Sequence, residues 1–467
     1  MRILKWNPFQ QIFIFNKSFS FNLKLNLLPF LLISVWNEFW KTLKNSSLIL
    51  ISGDSVKDKK ILMIIIDGVS DRPIDGKTPL SEAYTPNMDK IASLGINGIM
   101  DTIAPGIRPG SDTGHLALLG YDPFKYYTGR GPIEAAGAGI ELQPGDIAFR
   151  VNFGTVEGNG NVFDKIVIDR RAGRINETQP LVNAIMQNVK LDVDFILAKG
   201  SGHRAALVLR GNELSDKITD TDPKVIGKKV KECKPLEDDE KARFTAEIVN
   251  DFMEKTHRIL ENHPLNKERG KKGLLKANVL LLRGVGKAVH IPTFREKYDM
   301  SLAVISGTTL IRGIGKILGG DLIDVKGMTG SKNTNIKGKV EAAIRCLDKY
   351  DFVLLHFKAP DEFGHDGDFN GKKEFIERID RELEPILNLD FSRVCLILTG
   401  DHSTPVMVRE HTADPIPVII LHEGVRVDEV KQFSEFEAYK GGLCRIRGMD
   451  LTNIALDLID KAKKFGA

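Results

Sequence analysis

Three short apolar runs, each followed directly by polar residues, constrain the fold of this chain more than any other feature. The first covers residues 61–66 and ends at Asp67-Gly68. The others cover residues 351–357 and 393–399, and acidic and histidine residues follow both of them. Continuous apolar runs of this length are typical of central parallel strands, which are buried on both faces. We therefore expect these runs to lie side by side in one sheet.

Helical patterns separate the runs along the chain. One covers residues 338–347, before the second run, and another covers residues 375–387, between the second and the third. This alternation predicts an α/β fold with a doubly wound sheet. Ligand-binding groups in such sheets gather beyond the carboxyl ends of the strands. We therefore expect Asp67, Asp361 and Asp401, which follow the three runs, to meet at one edge of the sheet.

The middle of the chain, residues 126–335, has a different pattern. It combines short strand candidates and glycine-rich turns with a helical pattern at residues 240–262. The strand candidates cover residues 147–153, 161–168, 194–197 and 205–209. This region is predicted to be an inserted α+β cap domain, and residues 56–125 and 336–467 are predicted to form the core. Two domains also suit a chain of 467 residues.

The N-terminal segment, residues 1–55, differs in composition from the rest. All three tryptophans lie here, whereas the first alanine of the chain is Ala83. Its longest uncharged stretch, residues 25–37, is shorter than the roughly 20 residues of a membrane-spanning helix. The first interpretation is that translated upstream sequence precedes a true start at Val56. The alternatives are a targeting or membrane-surface segment and a structured extension.

Charge and cysteine usage exclude some function classes. The chain has 66 basic and 62 acidic residues, a formal net charge of +4, and no long basic tract. This balance gives no indication of nucleic-acid binding. The four cysteines are far apart and form no CxxC pair. That spacing is typical of reduced thiols in a cytoplasmic protein rather than of a disulfide framework or a structural zinc site.

Six acidic and histidine residues are candidate metal ligands. Carboxylates and imidazoles without thiolates suit Mn²⁺, Zn²⁺, Co²⁺ or Mg²⁺. Each residue also has an ordinary structural explanation, such as a turn for Asp67 and a cap-region position for His411. Their shared position after strands favours the metal interpretation for the set. The six are Asp67, Asp361, His365, Asp401, His402 and His411.

The motif Gly-Ser-Asp-Thr-Gly-His, residues 110–115, holds the candidate nucleophile Ser111. A helical pattern follows it, and a helix N-terminus offers free N–H groups to a phosphoryl group. The alternative is that Ser111 is only an N-cap residue. A serine nucleophile needs a metal ion that lowers the pKa of its hydroxyl, and a second ion neutralises the transferred phosphoryl oxygens. The six candidate ligands would bind both ions.

Cationic residues of the insertion are candidates for substrate binding. Guanidinium groups bind carboxylate and phosphate in bidentate fashion. A solvated surface position is the alternative for each of them. The run at residues 170–174 is the strongest of these predictions. The seven arginines are Arg130, Arg150, Arg170, Arg171, Arg174, Arg204 and Arg283.

Several motifs, taken in order, resemble one known family. IIIDG, GSDTGH, PDEFGHDGD, TGDHSTP and HTADPIP resemble the archaeal type of cofactor-independent (2,3-bisphosphoglycerate-independent) phosphoglycerate mutase, in the alkaline phosphatase superfamily. The segments GIRPGSDTGHLALLGYDP and YTGRGPIEA strengthen the match. The resemblance runs from about residue 59 to the C-terminus. The N-terminal segment departs from it, which agrees with a later start.

This resemblance implies an isomerase that interconverts 3-phosphoglycerate and 2-phosphoglycerate in glycolysis and gluconeogenesis. It implies two divalent ions and no 2,3-bisphosphoglycerate. Mn²⁺ is the first choice for these ions, and Zn²⁺, Co²⁺ and Mg²⁺ are the alternatives. Ser111 would carry the phosphoryl group as phosphoserine, His115 would lie near the substrate, and the arginines and Lys326 would hold the glycerate. The implied ligands are Asp67, Ser111, Asp401 and His402 for one ion, and Asp361, His365 and His411 for the other.

A phosphoryl group on serine is open to water, so a mutase must keep glycerate bound and water out. We expect the insertion to close over the site, with hinges near Lys125 and Lys332. No nucleic-acid or membrane partner is expected. The alternatives are a related phosphatase, a phosphopentomutase or another small-alcohol phosphotransferase, and, in a different class, a metal-binding module without catalysis.

Overall fold

The computed structural model describes residues 59–466. The predicted extension, residues 1–55, and the proposed start at Val56 lie outside the described residues. The described residues form two sheets, one of eight strands and one of five, with helices around them. The predicted α/β class is confirmed. In the described part of the chain, every helix is too short or too polar to cross a bilayer.

The strands, in chain order, are β1 (Lys60–Ile66), β2 (Ile96–Asp101), β3 (Ile147–Glu157), β4 (Ile166–Asp169), β5 (Asp194–Lys199), β6 (Arg204–Arg210), β7 (Val279–Lys287), β8 (Leu302–Ile305), β9 (Asp321–Leu322), β10 (Phe352–Phe357), β11 (Val394–Thr399), β12 (Ile416–Leu421) and β13 (Cys444–Arg447). The three apolar runs are β1, β10 and β11. The eight-stranded sheet has the order β13-β2-β12-β11-β1-β10-β8-β9. Strand β1 pairs in parallel with β10 and β11, so the three runs are neighbours, as expected.

The helices are α1 (Pro86–Leu94), α2 (Ser111–Leu118), α3 (Pro123–Tyr126), α4 (Arg130–Gly137), α5 (Gln179–Asn188), α6 (Glu240–Asn262), α7 (Pro264–Lys271), α8 (Phe294–Tyr298), α9 (Thr309–Ile317), α10 (Ile336–Cys346), α11 (Ala359–Asp366), α12 (Phe369–Glu382), α13 (Glu435–Ala438) and α14 (Gly448–Leu458). Short 3₁₀ turns cover Val162–Asp164 and Glu384–Asn388. The helical pattern predicted at residues 240–262 is α6. The one predicted at residues 375–387 begins earlier, as α12, because Asp368 accepts a hydrogen bond from the Gly371 N–H and caps the helix.

The eight-stranded sheet is covered on both faces. Alternate residues of β1 belong to two separate apolar clusters, with Leu62 and Ile64 in one and Ile61 and Met63 in the other. Helices α1, α10 and α12 contribute to the first cluster, and α2, α9 and α14 contribute to the second. Each fully buried isoleucine or leucine side chain contributes about 1.5–3 kcal/mol of hydrophobic stabilisation. Burial on both faces explains why these strands read as continuous apolar runs.

The five-stranded sheet lies within the predicted insertion. Strand β3 pairs antiparallel with β4, β6 and β7, and β5 pairs with β6. Side chains alternate between the faces of β3. Phe149 and Val151 pack into an apolar cluster with α6, whereas Ala148 and Arg150 lie on the opposite face, where α4 packs. This second face therefore carries a polar group, Arg150, beside a small apolar cluster.

The sheet topology differs from the predicted end of the insertion at residue 335. Strands β8 and β9 belong to the eight-stranded sheet, and β8 pairs in parallel with β10. The apolar run of β8 has only four residues, too few for periodicity to separate a core strand from a strand of the insertion. The part of the chain after β7 thus returns to the large sheet earlier than expected. The division into core and cap domains stays a prediction.

Candidate active site

The first predicted set of metal ligands comes together at the carboxyl ends of β1 and β11. Asp67 directly follows β1, and Asp401 and His402 follow β11 after one glycine; all three side chains are fully buried. The His402 Nε2 atom lies 3.3 Å from Asp67 Oδ1 and 3.3 Å from Asp401 Oδ2. The parallel pairing of the two strands places these loops side by side.

Ser111 is the first residue of α2, and the N-cap residue is Gly110. The interpretation of Ser111 as an N-cap is therefore wrong. Its Oγ lies 3.1 Å from His402 Nε2 and 3.3 Å from Lys358 Nζ. Helix α2 approaches the loop after β11 so closely that a Cβ on Gly114 would lie 2.9 Å from the Asp401 carbonyl oxygen. The serine thus stands at a helix N-terminus, beside the first ligand set.

The second predicted set, Asp361, His365 and His411, also comes together. The Nε2 atoms of His411 and His365 lie 3.3 and 3.5 Å from Asp361 Oδ1. The Nδ1 atom of His411 donates to the Pro109 carbonyl, and that of His365 donates to the Arg409 carbonyl, both at 2.9 Å. These bonds turn each Nε2 toward the carboxylate, an orientation that metal-binding histidines commonly have.

The two sets adjoin each other. The rings of His402 and His411 stack with their centroids 3.6 Å apart. Asp67, Asp401 and His402 offer ligand atoms that all lie within 4.8 Å of one another, and so do Asp361, His402 and His411. His402 therefore stands at the boundary between the sets.

The charges of this site fit bound cations. Burial and the neighbouring Asp401 carboxylate raise the pKa of Asp67 to about 6. Burial lowers the pKa of His402 to about 4, which leaves its ring neutral near pH 7. The Oδ2 atom of Asp401 is buried and has no hydrogen-bond partner among the described residues. Buried carboxylates and neutral imidazoles are the ligands that divalent ions prefer, so the residues present fit two such ions.

Sequence reasoning missed Lys358 and His356. Lys358 Nζ lies 2.9 Å from Asp67 Oδ1 and 2.5 Å from Asp361 Oδ2. Although burial opposes it, the charges of Asp67 and Asp361 raise the pKa of Lys358 above its usual value. His356 Nε2 lies 2.9 Å from Asp67 Oδ2. The available signal was a histidine and a lysine at the end of an otherwise apolar run.

The position of His115 near the substrate, which the resemblance implied, stays a prediction. Its side chain is fully buried, and its Nδ1 donates to the Ser111 carbonyl at 2.7 Å and lies 3.4 Å from Asp401 Oδ2. It therefore packs behind the nucleophile and a metal ligand rather than facing open space. The cause is local, because Ser111 and His115 are one helical turn apart on α2.

A cluster of arginines covers the polar face of the five-stranded sheet. Burial lowers the pKa of Arg150 on β3, Arg204 on β6 and Arg283 on β7, and the charges of Arg204 and Arg283 lower that of Arg150 further. The Nε atoms of Arg150 and Arg204 are buried and lack a hydrogen-bond partner within residues 59–466. Glu134 lies 3.1 Å from Arg130 and 3.6 Å from Arg150 and offsets only part of this charge. The cluster fits an anion.

One electrostatic interaction links this cluster to the metal-ligand region. The charge of Glu362, the residue after Asp361, acts on Arg204 and raises its pKa, although burial lowers that pKa more. The residues of the cluster come from three strands that are far apart in sequence, so no local motif indicated them as a group.

The run at residues 170–174, the strongest of these predictions, lies directly after β4 and on the turn that follows it. Arg170 forms a bidentate ion pair with buried Asp222, at 3.0 and 2.6 Å. Arg171 and Arg174 are exposed on the turn that follows β4, though the charge of Arg171 acts on Arg204. Lys326 is exposed as well. Local arginine density marked a turn, whereas Arg150, Arg204 and Arg283 lie singly on strands.

The fold and site define a class of protein: an α/β protein with a serine at a helix N-terminus beside two adjoining sets of carboxylate and imidazole ligands. The family model of 2,3-bisphosphoglycerate-independent phosphoglycerate mutase matches residues 92–266. A relative of that name from Archaeoglobus fulgidus is 66% identical over 407 residues, which is 87% of this chain and 100% of the relative. One from Methanopyrus kandleri is 51% identical and covers 88% of this chain and 99% of its own length.

Solved structures agree with these relatives. The cofactor-independent phosphoglycerate mutase of Thermoplasma acidophilum is 38% identical with a TM-score of 0.64, over 86% of this chain and 100% of that chain. A protein of Pyrococcus horikoshii is 39% identical with a TM-score of 0.76, over 88% of this chain and 99% of that chain. The chain belongs to the family of 2,3-bisphosphoglycerate-independent phosphoglycerate mutases, which are isomerases.

Proposed function

We propose that this enzyme interconverts 3-phosphoglycerate and 2-phosphoglycerate through a phosphoserine at Ser111. The observation that carries the proposal is the position of Ser111 Oγ, between His402 Nε2 and Lys358 Nζ at the N-terminus of α2. The names of the relatives supply the reaction. The reaction would serve glycolysis and gluconeogenesis in the cytoplasm, without 2,3-bisphosphoglycerate and without a nucleic-acid or membrane partner.

Two divalent ions would complete the site. Mn²⁺ is the first choice, and Zn²⁺, Co²⁺ and Mg²⁺ are the alternatives. Asp67, Ser111, Asp401 and His402 would hold one ion, and Asp361, His365 and His411 the other. When bound, such ions lower the pKa of the serine hydroxyl and neutralise phosphoryl oxygens. The short distances from His402 Nε2 to Asp67 and Asp401, and from Asp361 Oδ1 to His365 and His411, support this assignment.

The residues of the chain would carry the transfer in two steps. In the first, Ser111 Oγ loses its proton and bonds to phosphorus, the bond from phosphorus to the C3 oxygen of 3-phosphoglycerate breaks, and that oxygen takes up a proton. In the second, the C2 hydroxyl loses its proton and its oxygen bonds to the same phosphorus, the bond from phosphorus to Ser111 Oγ breaks, and Oγ takes up a proton. The Lys358 ammonium, 3.3 Å from Ser111 Oγ, would hold a phosphoryl oxygen in both steps.

The arginine cluster would hold the glycerate between the two steps. Buried guanidinium groups bind a carboxylate strongly, since each charged hydrogen bond contributes about 1.5–3 kcal/mol. Retained glycerate reaches the phosphoserine at a high effective concentration, and a closed site excludes water. The salt bridge from Lys332 Nζ to Asp366 Oδ2, at 2.7 Å, ties the loop before α10 to the end of α11.

The test is incubation with 3-phosphoglycerate and Mn²⁺, with 2-phosphoglycerate and inorganic phosphate measured together. We expect 2-phosphoglycerate to dominate and Ser111→Ala to lose more than about 10³-fold in kcat. Ser93→Ala is the matched control, because Ser93 bonds only the Lys90 carbonyl on α1. Dominant phosphate release would favour a phosphatase instead. Activity of Ser111→Ala within tenfold of the natural protein would contradict the role of the serine.

A further inference from the structure

The side chain of Thr404 is fully buried between the two ligand sets. Its Oγ1 lies 2.7 Å from Asp361 Oδ1 and 3.0 Å from His402 Nδ1. An ionised carboxylate oxygen can only accept, so the hydroxyl proton of Thr404 goes to Asp361. Its oxygen then accepts the proton on His402 Nδ1. One hydroxyl therefore connects a residue of the first set with a residue of the second.

This hydrogen bond fixes the tautomer of His402. A ring that carries its proton on Nδ1 has a free lone pair on Nε2. The Nε2 atom is the one that lies 3.1 Å from Ser111 Oγ and 3.3 Å from Asp67 Oδ1. Thr404 thus presents the correct nitrogen of His402 to the centre of the site.

The backbone of Thr404 is held as firmly as its side chain. Its N–H donates to the Ser70 carbonyl at 3.2 Å, and its carbonyl accepts from Lys372 Nζ at 3.0 Å. The same buried ammonium donates to the Ser70 carbonyl at 3.0 Å and to Asp71 Oδ2 at 2.9 Å. Ser70 and Asp71 belong to the loop that begins at Asp67. Lys372 on α12 therefore uses all three of its protons to join the loops after β1 and β11.

We propose that Thr404 is a positioning residue that couples the two metal subsites through its hydroxyl. The inference rests on the proposed function, in which both ligand sets hold a cation. Loss of the hydroxyl leaves His402 Nδ1–H without an acceptor and removes a donor from Asp361. Because these residues belong to different subsites, a single substitution should weaken the binding of both ions.

The size of the effect follows from the general behaviour of groups that orient metal ligands. Removal of such a partner typically lowers metal affinity by about 10- to 100-fold. Thr404→Val keeps the shape of the side chain and removes the hydroxyl, whereas Thr404→Ser keeps the hydroxyl. Thr404→Ala removes the hydroxyl without placing a methyl group against polar atoms, and it serves if the valine variant does not fold.

The matched control is Thr399→Val. Thr399 is the last residue of β11, is fully buried, and donates to the Pro417 carbonyl at 2.9 Å rather than to a ligand residue. Thr404→Val loses two buried hydrogen bonds and Thr399→Val loses one, so we expect a lower Tm in both variants. Only Thr404→Val and Thr404→Ala should lose metal affinity.

The experiment is a calorimetric titration of metal-free protein with Mn²⁺, repeated with Co²⁺ and followed by its visible absorption spectrum. We expect the natural protein, Thr404→Ser and Thr399→Val to bind two ions with similar affinity. Thr404→Val and Thr404→Ala should bind both ions about 10- to 100-fold more weakly, with a changed Co²⁺ spectrum. Unchanged affinity in these two variants, or an equal loss in Thr399→Val, would overturn the coupling alone. A natural protein that binds fewer than two ions would overturn the two-ion site as well.

Discussion

Substitution of Gly364 by alanine should reduce the activity of this enzyme far more than its stability. Gly364 lies on α11 between the ligands Asp361 and His365. A Cβ built there would lie 2.3 Å from the Thr404 carbonyl oxygen and 2.8 Å from its Cγ2 atom. Ordinary van der Waals contact begins at 3.4 Å. Gly364→Ala must therefore move α11 away from the loop after β11 by about 1 Å.

The expected magnitude follows from this displacement. A shift of about 1 Å in groups that position a reaction can cost about 10²-fold in rate, which corresponds to about 2.7 kcal/mol. The effect on stability is smaller, because overpacking costs about 1–3 kcal/mol while alanine is favoured over glycine in a helix by about 1 kcal/mol. We therefore expect kcat/KM to fall about 10²-fold while the free energy of unfolding falls by no more than about 2 kcal/mol.

The assay compares kcat/KM for 3-phosphoglycerate with urea unfolding for Gly364→Ala and Gly270→Ala. Gly270 lies on α7, and a Cβ there would meet only the flexible Lys276 side chain, at 3.5 Å. The control should keep full activity and gain up to about 1 kcal/mol. Gly364→Ala with natural activity would refute the argument that the spacing between α11 and the Thr404 loop sets the geometry of the site.

Three further predictions concern the arginine cluster, a buried carboxyl group and the closure of the site. Arg150→Met should raise KM for 3-phosphoglycerate by about 10- to 100-fold. Arg170→Met should leave KM unchanged but cost about 3–5 kcal/mol of stability, because the buried Asp222 carboxylate loses its bidentate partner. Steady-state kinetics and urea unfolding check both variants, and equal changes in KM would contradict the assignment. Burial raises the pKa of Glu435 from 4.5 to about 7, so its stabilising contribution is complete below pH 4.5 and is lost as the pH rises through 7. Urea unfolding between pH 5 and 8 should show a decline of about 3 kcal/mol from this group, Glu435→Gln should remove it, and an identical decline in both proteins would exclude this cause. Lys332→Ala, which removes the salt bridge to Asp366, should raise phosphate release relative to 2-phosphoglycerate formation, and unchanged partitioning would count against closure by this segment.

Much of the fold could be predicted because burial leaves a periodic pattern. Strands β1, β10 and β11 are buried on both faces, and their apolar runs and the acidic residues after them identified the sheet and its functional edge. Strand β8 was not recognised within the predicted insertion, because four apolar residues carry no information about which strand they pair with.

The metal ligands of the candidate site could be predicted from the sequence, whereas the arginine cluster could not. The metal-ligand residues follow strands directly, so topology alone brings them together. The arginine cluster depends on antiparallel register, which pairs Arg150 with Arg283 on β7 and Ala206 on β6, and register was not readable from short strands. Lys358 and Thr404 were missed because each lies beside a recognised ligand and acts through contacts across loops.

The most direct test of the account is to trap the phosphoryl group on the enzyme. Protein incubated with 3-phosphoglycerate and Mn²⁺, quenched in acid and digested, is examined by mass spectrometry for the peptide that contains Ser111. We predict one phosphate on Ser111 in the natural protein, formed from either 3-phosphoglycerate or 2-phosphoglycerate, and none in Ser111→Ala. Phosphate on another residue, or full mutase turnover by Ser111→Ala, would contradict the account.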